Sequence, residues 1–168
     1  MNKFIGAAGA LALIALASSP AAAVSPLTQA TASARIYKPL QISFVQNLDF
    51  GVLVTGSGAW SQVINMDQAG TLTGCGANVS CSGATQPAKY HLTGTNNAIV
   101  KITSPGFNMT GPGSSLLAFT PNAPATVDLG ASGLATGVDF SIGGSITITS
   151  ATPDGVYTGN FLVTADYQ

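Results

Sequence analysis

Apolar and polar residues alternate in short runs along most of this chain, and clusters of turn residues separate the runs. The runs recur roughly every 8 to 12 positions, a spacing typical of antiparallel sandwiches and barrels. No segment carries a sustained helical period of apolar residues. The pattern therefore predicts an all-β fold, with separate strands at QISF, NLDFGVLV, AKYHLTG and AIVKITS.

The alternation is clearest in residues 155–168, GVYTGNFLVTADYQ. The even-numbered positions are mostly polar, and Val156 and Leu162 are the exceptions. A period of two indicates a half-buried strand. The opposite phase of this strand holds Tyr157, Gly159, Phe161, Val163, Ala165 and Tyr167.

The preceding run, residues 137–149, keeps its apolar phase across Gly143 and Gly144. Glycines inside a strand mark a bend or a close approach of another backbone. The sequence TPDG at residues 152–155 has the residues of a tight turn. We therefore expect a β-hairpin between 137–149 and the last strand, whose other edge would stay open to another chain.

The N-terminus has the features of a secretory signal peptide, with Lys3 before an apolar run and small residues at 21–23. The run is shorter than the roughly 20 apolar residues that span a bilayer. We expect residues 1–23 to be cleaved and residues 24–168 to form one domain. The predicted location is the periplasm, the cell surface or the medium, with no membrane span after cleavage.

Cys75 and Cys81 are the only cysteines, and they flank a glycine-containing loop. Export places them in an oxidising compartment, where such a pair most often forms a disulfide. A metal site is the alternative, but no further Cys or His lies near them in the sequence.

The charged and catalytic residues are few. The formal net charge is −1 and no basic patch exists, which argues against a nucleic-acid partner. The one histidine, His91, shares the polar face of its strand with Lys89, and no G-x-S-x-G motif occurs. The six carboxylates are all Asp and are scattered, Asp49 in LDFG being read as a turn residue. We predict no enzyme activity, no metal and no cofactor.

The C-terminal run resembles the terminal strand motif of chaperone–usher pilins and of spore coat protein U-like secreted domains. Three further blocks, PLQISFVQNLDFG, AKYHLTGTNNAIVKITSP and FSIGGSITIT, make the chain more similar to the domain of unknown function family 4402. The resemblance implies an immunoglobulin-like antiparallel β-sandwich.

In pilins the sandwich is incomplete, and a segment of a neighbouring subunit or a chaperone adds a strand to it. The resemblance implies a donor near the mature N-terminus, where the candidate strand residues are Ala32, Ala34 and Ile36. It also implies that one wall of an acceptor groove is formed by Gly155, Tyr157, Gly159, Phe161, Val163 and Tyr167.

Two functions follow from these observations. The first is an exported structural or adhesive surface protein, a pilin-like or coat subunit that assembles by β-strand pairing with itself, with related surface subunits or with a periplasmic chaperone. The alternative is a monomeric secreted binding module for a carbohydrate or protein ligand. In that module, residues 31–36 pair with the C-terminal strand of the same chain.

Overall fold

The structure is a computed structural model, and it describes residues 27–76 and 78–168. The predicted signal peptide, residues 1–23, lies outside the described residues. The larger compact unit comprises Arg35–Gln168. Residues 27–34, which belong to the other unit, are exposed and have no regular secondary structure. Neither described range contains a helix long and apolar enough to cross a membrane.

The described residues form β-strands and one short 3-10 helix, Pro112–Ser114, with no α-helix among them. All strand pairs are antiparallel, so the predicted all-β antiparallel sandwich is confirmed. The strands are β1 (Gln41–Gln46), β2 (Val52–Thr55), β3 (Ser61–Met66), β4 (Leu72–Thr73), β5 (Val79–Ser82), β6 (Ala88–Thr93), β7 (Ile99–Thr103), β8 (Phe107–Thr110), β9 (Leu116–Asn122), β10 (Thr126–Asp128), β11 (Val138–Thr149) and β12 (Thr164–Tyr167).

The long strand β11 organises the largest sheet. Its first half, residues 138–142, pairs with β6, which in turn pairs with β1. Its second half pairs with β3 through residues 144–149 and with β9 through residues 143–146. β4 extends the sheet beside β3, and β8 extends it beside β9. Two smaller sheets have the orders β10-β7-β12 and β2-β5.

Each half of β11 packs on its own core. Phe140 and Ile142 belong to a cluster that also holds residues of β6, β7 and β10. Ile146 and Ile148 belong to a second cluster with residues of β3, β5 and β9. Of the five residues predicted to share this phase, these four are buried and Val138 is partly buried. The large sheet faces the β10-β7-β12 sheet across the first cluster, and Val79 of the β2-β5 sheet packs in the second.

Gly143 and Gly144 lie where β11 passes from one core to the other. A Cβ atom at Gly143 would meet the carbonyl oxygen of Met66, and one at Gly144 would meet the ring of Phe119. Both contacts are far below van der Waals distance, so side chains are excluded here. The close backbone approach that the sequence predicted is confirmed.

The predicted hairpin is wrong. β12 pairs with β7, through Thr164 opposite Thr103 and Tyr167 opposite Val100, and not with β11. Both edges of β11 are occupied by β3 and β9 around residues 144–146, so this stretch has no edge for the last strand. The strand is also shorter than predicted, and residues 155–163 contribute one isolated bridge, between Thr158 and Thr110.

The candidate N-terminal strand pairs with no strand among the described residues, and its pairing with another subunit stays a prediction. Ala32, Ala34 and Ile36 are exposed and have no strand structure, and the side chain of Ile36 is 90% exposed. Small side chains provide little apolar surface to bury, so alternation alone does not hold this segment in a sheet.

Replacing Gly143 by Ala tests the close approach in β11. The added methyl group would collide with a backbone oxygen that cannot rotate away, so we expect Gly143→Ala to lower the free energy of unfolding by about 1–3 kcal/mol or more. Gly76→Ala is the control, because a Cβ there meets nothing within 4 Å. Urea denaturation gives both values, and equal stability of the two variants would contradict the packing described here.

Candidate functional site

One side of the sandwich is open. Among the described residues, β12 pairs only with β7, and β1 pairs only with β6. Ile42 and Phe44 of β1 lie opposite Leu92 and Tyr90, so they share the core-facing side of the sheet. They are nevertheless 36% and 59% exposed. Each of these two strands therefore has one edge without a strand partner in the described part of the chain.

The C-terminal segment forms one border of this opening. Phe161, Val163 and Tyr167 are half-buried and pack against the first cluster, as the alternation predicted. Val156 and Leu162, which are out of phase, are 79% and 74% exposed. The face predicted for this segment is therefore confirmed, although only its last residues form a regular strand.

The two glycines of the predicted wall lie against other side chains. A Cβ at Gly159 would meet the ring of Phe107, and one at Gly155 would meet Pro112. Gly155 also has a φ of 138°, which disfavours any other residue. Tyr157 packs against the second cluster, and its hydroxyl donates to the carbonyl of Pro153 at 2.9 Å.

A groove of about 450 Å³ lies between the C-terminal segment and the segment that leads into β2. A smaller depression of about 50 Å³ shares the lining residues Leu48 and Met109 with the groove and reaches Phe107 and Phe161. The groove floor is apolar. Its lining comprises Leu48, Asp49, Phe50, Gly51, Val52, Leu53, Thr55, Met109, Leu117, Ile146, Ile148, Thr152, Pro153, Asp154, Gly155, Val156 and Tyr157.

The charged groups at the groove are all acidic. Asp49 comes from one wall and Asp154 from the other, and no Lys, Arg or His of the described residues lines the groove. The Asp49 carboxylate accepts a hydrogen bond of 2.8 Å from the backbone N–H of Gly51, which fixes the turn into β2. Any occupant therefore meets an apolar floor between two exposed carboxylates.

Tyr167 anchors the end of β12. Its hydroxyl donates to the carbonyl oxygen of Lys38 at 2.8 Å and accepts from the backbone N–H of Thr95 at 2.8 Å. Its ring stacks on Tyr37 with the ring centroids 4.5 Å apart. The hydroxyl also lies close over Gly94, where a Cβ would collide with it. One side chain thus joins the last strand to two segments distant in sequence.

The predicted disulfide between Cys75 and Cys81 is confirmed. Cys81 lies in β5, opposite Leu53 of β2. Leu53 lines the groove, so the bridge closes a loop directly behind one groove wall.

His91 is paired rather than merely solvated. Its Nδ1 lies 2.5 Å from the Asp139 carboxylate, and Ser43 is the cross-strand neighbour of His91 on the other side. The Ser43 hydroxyl, however, donates to the backbone carbonyl of His91, and Nε2 lies against Gly137. Ser43, His91 and Asp139 are the residue types of a serine triad. The Ser43 hydroxyl does not contact Nε2 of His91, however, and such a triad requires that contact.

Tyr90 is partly buried at the edge of the first cluster, where it lies between Phe44 and Phe140. Burial raises the pKa of its hydroxyl above the ordinary value of 10.0. The hydroxyl is therefore neutral at physiological pH.

Of the six residues predicted to form one wall, Gly155 and Tyr157 line the groove and Gly159 and Phe161 line the smaller depression. Val163 and Tyr167 are in neither lining. The second wall and the floor come from Leu48, Phe50, Leu117, Ile146 and Ile148, which alternation marks only as inward-facing. Whether an inward-facing residue lines a groove depends on how strands distant in sequence pair, and no local pattern indicates that pairing.

The structure is an antiparallel β-sandwich with an apolar groove between the C-terminal segment and the segment that leads into β2. The chain belongs to the family described as Domain of unknown function (DUF4402), whose family model matches residues 40–167. The resemblance to family 4402 is thereby confirmed. No curated protein and no solved structure matched the chain.

Removing the Tyr167 hydroxyl tests the anchor. Tyr167→Phe keeps the stacked ring but leaves the Thr95 N–H and the Lys38 carbonyl without this partner, so we expect a loss of about 1–3 kcal/mol in the free energy of unfolding. Tyr37→Phe is the matched control, because its hydroxyl makes only a 3.5 Å contact with Gln168. A loss of the same size in both variants would contradict the assigned role of Tyr167.

Removing the disulfide tests how much it stabilises the loop behind the Leu53 wall of the groove. We expect a double Cys75→Ser, Cys81→Ser variant to fold with a free energy of unfolding lower by about 2 kcal/mol, since the bridge closes a short loop. Denaturant titration of both proteins without reductant measures the difference. Unchanged stability would show that the loop is held by its other contacts alone.

Proposed function

We propose that this protein is an exported structural or adhesive surface protein that joins its assembly by accepting a β-strand into the groove. One observation carries the proposal. Among the described residues β2 pairs only with β5, and the free edge of β2 lies along the apolar groove, which Val52, Leu53 and Thr55 help to line. An added strand would satisfy the backbone groups of an open edge and cover the apolar side chains at once.

The free energy available from such an addition is substantial. Phe44, Val52 and Val156 are all more than half exposed, and Val52 and Val156 line the groove directly. Burying a large apolar side chain fully contributes about 1.5–3 kcal/mol. Covering several of them, together with new backbone hydrogen bonds, supports a stable association instead of a transient encounter.

Export is part of the proposal. The predicted signal peptide supports it, and a disulfide together with the absence of a membrane-spanning helix in the described residues is compatible with it. The partners that this function requires are other surface subunits, and a periplasmic chaperone that would shield the open edge before assembly.

The monomeric binding module is less well supported. It requires residues 31–36 to form a strand beside β12, and these residues are exposed and without strand structure. We therefore favour a strand supplied by another polypeptide.

A charge placed in the groove tests the proposal. Val52→Asp and Val156→Asp alter lining residues that are already exposed, so the fold should survive while strand addition is lost. Val63→Asp is the matched control, since Val63 is a strand valine of similar exposure, 52% against 57% for Val52, outside the groove lining.

The tagged proteins are exported with their own signal peptide from their native host, so that any partner subunit is present, and unheated and heated samples are compared on denaturing gels. We expect heat-sensitive complexes for the wild type and for Val63→Asp, and none for the two groove variants. The proposal fails if the wild type is only ever monomeric, or if the groove variants retain the complexes. Thermal unfolding of each purified variant confirms that the fold is intact.

A further inference from the structure

The lining of the groove defines the chemistry of its occupant. We infer that the groove takes an extended strand of a different polypeptide, one that has large apolar side chains at alternate positions and a Lys or Arg beside Asp49 and Asp154. This inference rests on the proposed function. It excludes this chain's own N-terminal segment as the strand that fills the groove.

The first argument is size. The groove has a volume of about 450 Å³ over a floor that includes Met109, Leu117, Ile146 and Ile148. Side chains as small as Ala would leave most of this volume empty. Unfilled space beside apolar groups forfeits their dispersion contacts and lowers stability. A matching strand must therefore place several Leu, Ile, Val or Phe side chains on one face.

The N-terminal segment of this chain does not have such a face in either phase. Within residues 24–36, one phase offers only Val24 and Ile36, twelve positions apart, and the other offers only Leu27. The positions between Leu27 and Ile36 are Thr28, Gln29, Ala30, Thr31, Ala32, Ser33, Ala34 and Arg35. A second copy of this chain therefore supplies a poorly matched strand.

The second argument is charge. Asp49 and Asp154 line the groove from opposite walls, and no cationic side chain in the described part of the chain lines it with them. A neutral strand laid between them would remove water from the carboxylates without replacing the lost hydrogen bonds, which is unfavourable. A Lys or Arg would form charge-assisted hydrogen bonds with them while its aliphatic stem lies on the apolar wall. An acidic strand would be repelled, so the rim also selects against the wrong partner.

Synthetic peptides test the inference on the purified protein. The probe peptide has the length of residues 24–36, with Ile and Phe alternating with Thr and one Lys near an end, made in two versions with the Lys at either end. Its comparison peptides carry Gln or Glu in place of Lys, and a further peptide has the sequence of residues 24–36. Binding is measured by fluorescence anisotropy of labelled peptides and by the shift in melting temperature.

We expect one Lys peptide to bind at least about tenfold more tightly than the Glu peptide and than the peptide of residues 24–36, a difference of about 1.4 kcal/mol or more. The double variant Asp49→Asn, Asp154→Asn should lose the preference for Lys over Gln while still binding the Gln peptide. Asn retains an acceptor for the N–H of Gly51, so the turn is preserved. Asp166→Asn, which lies outside the groove lining, is the control.

The outcomes separate the inference from the proposed function. Equal or tighter binding of the peptide of residues 24–36 overturns the inference and leaves strand addition intact. Lack of preference between Lys and Glu overturns the charge argument in the same way. If no apolar peptide binds, or if Val52→Asp binds them as well as the wild type does, the groove is not a strand acceptor and the proposed function fails with the inference.

Discussion

The structure depends on one constraint, the passage of β11 from one hydrophobic core to the other. The strand keeps a single apolar phase, so Phe140 and Ile142 enter one cluster while Ile146 and Ile148 enter the next. Passage is possible only because Gly143 and Gly144 leave room for the neighbouring backbone and for Phe119. The second half of the strand then forms part of the groove floor. The passage of β11 through Gly143 and Gly144 therefore completes both cores and also shapes the groove.

The edge strands β1 and β12 lack the features that protect sheet edges in most sandwich proteins. Natural edge strands are usually blunted by Lys, Pro or inward-pointing charges that discourage pairing with other chains. β1, with the sequence QISFVQ, carries none of these, and β12 carries only the outward Asp166. A strand edge without such protection is open to pairing with a strand of another chain. The acidic rim at Asp49 and Asp154 would then discriminate among partners instead of preventing association.

Local features of this fold could be predicted from the sequence, and features that depend on distant pairing could not. Alternation correctly placed Phe161, Val163 and Tyr167 toward the core, because the face of a strand residue follows from its own neighbours. The disulfide followed from two nearby cysteines. The hairpin failed because β3 and β9, distant in sequence, occupy the edges of β11. The pairing of His91 with Asp139 could not be predicted either, because the two residues meet only through the pairing of β6 with β11.

Among the described residues, Leu48 and Phe161 are the half-buried side chains that pack against both core clusters. Clusters that share few contacts open as separate cooperative units, each with its own free energy of local unfolding. Leu48 and Phe161 both line the small depression beside the groove. A strand seated along the groove and over this depression would therefore touch the two bridging residues together. Its binding would add contacts to both clusters at once, so that local unfolding of one would break contacts shared with the other.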